Sequence, residues 1–171
     1  MSTRHTVIDT AQLGPVTIVA TGPAVTGLYF RHHIRRPAAE TLGPEVSFVD
    51  DPVLGEAVGQ LLEYFLGRRR TFELPLHAAG DDFQQRVWRE VTAIEYGTTT
   101  TYGQIAENLG DRRLAYRVGQ AVGANPLCVF VPCHRVIGAD GSLTGYAGGL
   151  ERKRALLELE EPAVVSAGRL F

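Results

Sequence analysis

What this sequence has least of narrows it first. It holds two cysteines, one methionine and one tryptophan in 171 residues. No CxxC pair and no paired Cys/His spacing occurs, so no metal site is expected. Cys128 and Cys133 stand five positions apart with a strand-like segment between them, which is expected to send their side chains to opposite faces. A disulfide is therefore not expected, and Cys128 reads as core. Long apolar runs are missing as well. None approaches the roughly 20 residues that span a bilayer, and Met1 to His5 lead into no apolar signal core, so a cytoplasmic location is expected. Charge of one sign is also lacking: the formal balance is −2, which by itself names no nucleic-acid partner.

What is present is enough apolar material for a real core, 44% of the residues, in one domain or two small ones. The first thirty residues carry short β-branched or aromatic runs, Val7-Ile8, Val16 to Ala20 and Val25 to Phe30, broken by Gly14-Pro15 and Gly22-Pro23. They predict a small antiparallel sheet. Arg31 to Phe48 reads as loop with an edge strand, and His32 and His33 as surface residues. Pro52 to Gly67 has helical apolar spacing with proline in its first turn and glycine at its end. Phe72 to Leu76 alternates like a strand. The small-residue stretch His77 to Asp81 is read as a linker, which divides the chain into residues 1–79 and 80–171.

Beyond the linker the pattern turns helical. Asp82 is expected to cap a helix burying Phe83, Val87, Trp88, Val91 and Ile94. Thr101 then caps a short helix from Tyr102, Gly110 makes a turn, and a second helix runs from Arg112 to Ala124. Two short helices joined through a glycine, with Ile105, Leu109, Leu114, Val118 and Val122 inward, form a helix-turn-helix pattern. The second is poor in long side chains, and its interior glycines Gly119 and Gly123 each cost about 1 kcal/mol against alanine, so another backbone is expected to approach it closely. Asp111 to Arg135 carries four arginines against one acid, a local +3 of the size a short DNA contact uses. A solvated helix face explains the charge equally well. The last helix, Leu150 to Glu160, is expected to pack its leucines and to show Arg152, Lys153 and Arg154 to solvent, with a loosely held tail to Phe171.

The chemistry concentrates at Val131-Pro132-Cys133-His134-Arg135. Pro132 ends an apolar run because it cannot donate to a ladder, and Cys133 is presented at the break. A working thiol needs a base or cation to hold its thiolate. His134 is adjacent, but neighbours i and i+1 point apart, so it can serve Cys133 only at a tight turn or through a water. A buried structural cysteine beside an ordinary histidine is the plain alternative.

Pro132-Cys133-His134-Arg135-Val136, with Asn125-Pro126 before it and Gly145-Tyr146-Ala147-Gly148-Gly149-Leu150 after it, resembles the O6-alkylguanine-DNA alkyltransferases, also called methylated-DNA–protein-cysteine methyltransferases. Phe83 to Trp88 and Tyr102 to Ala106 extend the likeness, which runs from about Phe83 to Glu160. The resemblance implies an α/β (α+β) chain with a small ribonuclease-H-like amino-terminal α/β domain and a mostly helical, winged-helix-like carboxy-terminal domain. It implies direct, irreversible transfer of an alkyl group from O6-alkylguanine in duplex DNA to Cys133, one turnover per molecule and no cofactor. O4-alkylthymine as a second substrate stays open. His134, held by Glu160, would activate Cys133 through a water, Tyr102 would protonate guanine N3, and Asn125 would brace the turn. Val136, Tyr146, Ala147 and Gly148 would line the base pocket. Thr101, Arg113, Tyr116, Arg117 and Gly119 would meet DNA through its minor groove, with the protein acting as a monomer; cooperativity along DNA stays open. Two departures stand out. Relatives usually carry arginine where Tyr116 stands, with Arg117 one place later, and often serine where Ala147 stands. A lesion-binding module without catalysis and a thiol hydrolase remain as other readings; an inert Cys133 would favour the first, and acyl release the second.

Overall fold

A computed structural model describes residues 2–161, and the expected tail to Phe171 lies outside them. Three strands, β1 (Thr3–Thr10), β2 (Gly14–Thr21) and β3 (Ala24–Phe30), pair antiparallel in chain order, as their β-branched runs predict. The edge strand expected after β3 shrinks to a single bridge, His5 to Glu45, between short 3₁₀ turns at Ala39–Leu42 and Phe48–Asp50. Helix α1 (Pro52–Phe65) starts at Asp51, whose carboxylate accepts from the Val53 and Leu54 amides, and lays Leu54, Ala57, Val58, Leu61, Tyr64 and Phe65 on the sheet. It stops at Gly67, whose φ of 74° lets the Arg68 amide reach back to Glu63. Phe72 to Leu76 is not a strand. Only Leu76 bridges to Val25, because Pro75 has no amide to give a ladder.

Helix α2 (Asp82–Thr92) is capped by Asp81 rather than Asp82, in a capping box with Gln84. The two-residue strand β4 (Thr100–Thr101) leads into α3 (Tyr102–Asn108), with Thr101 accepting from the Gln104 amide. A 3₁₀ turn at Arg112–Leu114 feeds α4 (Ala115–Gly123), and α4 packs against both α2 and α3. The strand β5 (Val136–Ile137) pairs parallel with β4, and α5 (Leu150–Leu159) closes the described chain. One continuous apolar core joins the sheet and α1 to α2, α4 and the segment Leu127 to Cys133.

Four further expectations fail here for physical reasons. Leu127 to Val131 is a buried turn instead of a strand: the Val131 amide bonds Leu127 O, and Val129 sits at φ 75°. The turn folds the chain back, so the Sγ atoms of Cys128 and Cys133 lie 3.8 Å apart rather than on opposite faces. His33 is buried, not exposed; its Nδ1 accepts from the Phe30 amide and its ring stacks on Phe30, and burial beside Arg36 and Arg152 lowers its pKa to about 4. Lys153 is 1% exposed and Arg152 half-buried, while Leu150 faces out at 47%. The α5 stripe is therefore rotated from the leucine count: backbone carbonyls wait for the Lys153 ammonium and the Arg152 guanidinium.

Candidate active site

Cys133, His134 and Arg135 form one 3₁₀ turn between Pro132 and β5, all three buried. The turn is braced from behind by Asn125, whose Nδ2 donates to Val131 O at 3.0 Å and whose Oδ1 accepts from the Leu127 amide at 2.9 Å. Both groups of a buried amide are thereby satisfied. Cys133 shares a hydrogen bond with Cys128, which lowers the Cys133 thiol and raises that of Cys128. Asn125 and the positive charge of Lys153 pull Cys133 the same way, against burial. The thiol best able to ionise is thus Cys133.

Glu160, at the end of α5, is the charge beneath this turn, 2% exposed. Its Oε2 accepts from His134 Nε2 at 2.7 Å, from Arg135 Nη2 at 2.9 Å and from the Tyr64 hydroxyl at 2.5 Å. Its Oε1 accepts from Arg135 Nε at 2.8 Å and the Gly97 amide at 3.5 Å. These donors hold its carboxyl at about 2 in spite of burial. Donation from Nε2 fixes the His134 tautomer and leaves Nδ1 as the basic nitrogen, with no hydrogen-bond partner among the described residues. Burial lowers the imidazole pKa, so the ring is neutral near pH 7.

A groove of about 860 Å³ opens between α3, α4 and the loop Thr144 to Leu150, and buried Cys133 is not among its lining residues. Tyr102, Tyr116, Gly119, Tyr146 and Ala147 line it, with Ile34 and Arg35 at its amino-terminal rim. The rim is tied down by the Ile34 amide bonding Ala147 O at 2.8 Å. Tyr102 donates to Thr144 O at 3.0 Å, and its ring lies against Gly119, where a Cβ would stand 3.7 Å from Cδ1. A Cβ at 119 would thus make an ordinary packing contact with that ring. Gly148 is walled in: a Cβ there would collide with the Phe30 ring. Val136 is buried and does not line the groove.

Tyr116 is 77% exposed on the groove wall, whereas the Arg117 guanidinium lies over the Phe83 ring at 4.1 Å. Arg113 pairs with Asp111 and Arg112 with Glu107. Arg135 points inward to Glu160, so it does not belong to the surface patch counted from the sequence. Thr101 caps α3 and is half-buried.

Lys153 and Tyr64 belong to this site and were missed by the sequence reasoning. Lys153 Nζ donates to Val136 O at 2.5 Å and Thr144 O at 2.8 Å, joining β5 to the loop that Tyr102 also holds. Its place three residues before buried Leu156 was a signal that went unread. Tyr64, 96 residues from Glu160, gave no local signal.

Residues 82–162 match the family described as the 6-O-methylguanine DNA methyltransferase DNA-binding domain, and residues 4–78 match its ribonuclease-like domain. A methylated-DNA–protein-cysteine methyltransferase of Mycobacterium bovis is 45% identical over 159 residues, 93% of each chain. The crystal structure of Mycobacterium tuberculosis O6-methylguanine methyltransferase superposes with a TM-score of 0.82 at 41% identity, covering 98% of this chain and 99% of that one. A Mycobacterium tuberculosis OGT in complex with DNA gives 0.83 at 44% identity over 92% of each chain.

Proposed function

The chain belongs to the 6-O-methylguanine DNA methyltransferase family, and from that premise we propose that it repairs alkylated DNA by moving an alkyl group from guanine O6 to Cys133. The observation that carries this reading is the Cys133 thiol, lowered by its neighbours and set in one turn with a neutral His134 whose other nitrogen is locked to Glu160. His134 Nδ1 takes the Cys133 proton through a water, which answers the objection that adjacent side chains point apart. The thiolate attacks the alkyl carbon, the carbon–O6 bond breaks as the carbon–sulfur bond forms, and the electron pair goes to the purine. Tyr102 donates its proton toward N3 as that charge develops. Burial raises the phenol, which therefore keeps its proton until then. A thioether is not reversed by this machinery, so each molecule acts once.

A base inside a duplex cannot reach a thiol that is 3% exposed, so the nucleotide must be flipped into the groove. Val136, Tyr146, Ala147 and the backbone of Gly148 would bound it there. Tyr116 supports the wedge role, being exposed on the groove wall while Arg117 is held on Phe83. An aromatic ring fills the gap left by a flipped base by stacking. Helix α4 would then lie in the minor groove, flanked by Thr101, Gly119 and Arg113 as neighbours of the phosphates. The chain would divide near residue 80 and act as a cytoplasmic monomer; among the described residues no helix is long and apolar enough to cross a membrane.

The test is a titration of excess O6-methylguanine duplex against the protein, counting restored guanines. Restoration that stops at one per protein supports the proposal. Lesion binding with no restoration would favour a recognition module instead.

A further inference from the structure

Tyr64 lies in α1, in the half of the chain that holds no other donor to Glu160 among the described residues, yet its hydroxyl ends on the acid of the Cys133 turn. Its ring is fully buried, with Phe65, Phe72 and Tyr96 at 5.7, 5.4 and 6.2 Å between centroids, so it has one orientation. The oxygen it reaches is the one that His134 uses, and Arg135 Nη2 is the third donor there.

We infer that Tyr64 is a positioning residue for alkyl transfer: by donating to Glu160 Oε2 it orients the carboxylate and draws off charge that would otherwise convert His134 to imidazolium. The inference rests on reading His134 as the base for Cys133. An imidazolium has no lone pair to take a proton, so the base must stay neutral. A bare carboxylate beside it favours the charged form. A carboxylate has about four lone-pair sites, and three donors on one oxygen leave less charge for any one of them. Arg135 and Lys153 also oppose the imidazolium, Glu160 favours it, and burial opposes it. Beside Tyr64 stands Tyr96, with Arg70 over its ring at 5.1 Å and Arg135 at 5.7 Å. Burial beside Glu160 raises the Tyr64 phenol far above its ordinary value, so it remains a donor throughout the working range. This gives the amino-terminal half a task in the chemistry, delivered through one hydroxyl.

The test is the rate of Cys133 alkylation against pH for the full chain and for Tyr64→Phe, with His134 followed by imidazole NMR. The variant should move the acidic limb, and the His134 titration with it, to higher pH by about half a unit or more, slowing the reaction roughly threefold or more on that limb. Duplex affinity should not change, because Tyr64 does not line the groove. Phe65→Leu, which loosens the same turn of α1 without touching the carboxylate, should leave the limb in place. An unmoved limb in Tyr64→Phe, or an equal shift in Phe65→Leu, overturns the inference. Should Tyr64→Phe fail to fold, 3-fluorotyrosine at position 64, a stronger donor, must move the limb the other way; no movement again overturns it. The NMR titration reads Tyr64 even in a protein that proves unable to take a methyl group, so failure of the alkyl-transfer reading is seen separately.

Discussion

Replacing Glu160 by glutamine removes one charge while keeping the shape of the side chain, and the structure fixes what that should cost. The carboxylate is the counter-charge of a buried Arg135 and accepts from Tyr64, His134 and Gly97 besides. Breaking a buried pair by removing one partner costs about 3–5 kcal/mol. The titration gives a second route to the same quantity. The carboxyl is held at about 2 against an ordinary 4.5, and at about 1.4 kcal/mol per unit this is roughly 3 kcal/mol. The folded value is the depressed one, so this stabilisation is fully present above pH 4.5 and is lost as pH falls toward 2. Denaturant unfolding of the wild type and Glu160→Gln at pH 7 should differ by about 3–5 kcal/mol. The gap should shrink toward zero as both are acidified, because the wild-type carboxyl becomes neutral as well. A difference under about 1 kcal/mol at pH 7, or a gap that does not change between pH 4.5 and 2, would refute the reasoning.

Three further outcomes follow from the site. Lys153→Met takes the ammonium away from Val136 O and leaves Thr144 O with the Tyr102 hydroxyl alone, and should destabilise the fold by about 1–3 kcal/mol. With its folded pKa near 8 against 10.5, wild-type Lys153 binds its proton less tightly than the unfolded chain does; stability should therefore rise between pH 8 and 10.5, a gain the methionine variant lacks in parallel unfolding curves. Neutral, buried His33 makes stability fall as pH drops from 6.5 toward 4, and a His33→Asn variant should lose that slope in the same assay. Tyr116→Ala should slow repair in duplex more than in single strands, read as the ratio of the two alkylation rates; equal slowing would remove Tyr116 as the wedge.

The sheet, α1 and the helix pair were legible because each rests on local rules: β-branched runs between Gly-Pro breaks, Pro52 at a helix start and Gly67 at its end, Thr101 as a cap. The Cys133-His134 pair was legible for the same reason, with a proline break in front of it. What escaped depends on contacts that no local pattern carries. Leu127 to Val131 has the composition of a strand, and its turn requires Val129 in the left-handed region, which a β-branched residue rarely enters. The Cys128–Cys133 contact follows from that turn and was therefore read wrongly as well. Lys153 looked like surface because charge was weighed above its position in the apolar stripe, while the carbonyls that receive it come from β5 and a loop. Tyr64 sits where any large apolar residue would satisfy the helix, so only the fold reveals the acid at the end of its hydroxyl.

The central claim is that Cys133 itself is the acceptor, and Cys128 at 3.8 Å makes the assignment a demanding one. After reaction with an O6-methylguanine duplex, fragmentation mass spectrometry of the peptide carrying both cysteines locates the added methyl. One methyl is expected, on Cys133 alone, and none in Cys133→Ser. A methyl on Cys128, or none on either sulfur while the lesion disappears, would contradict it.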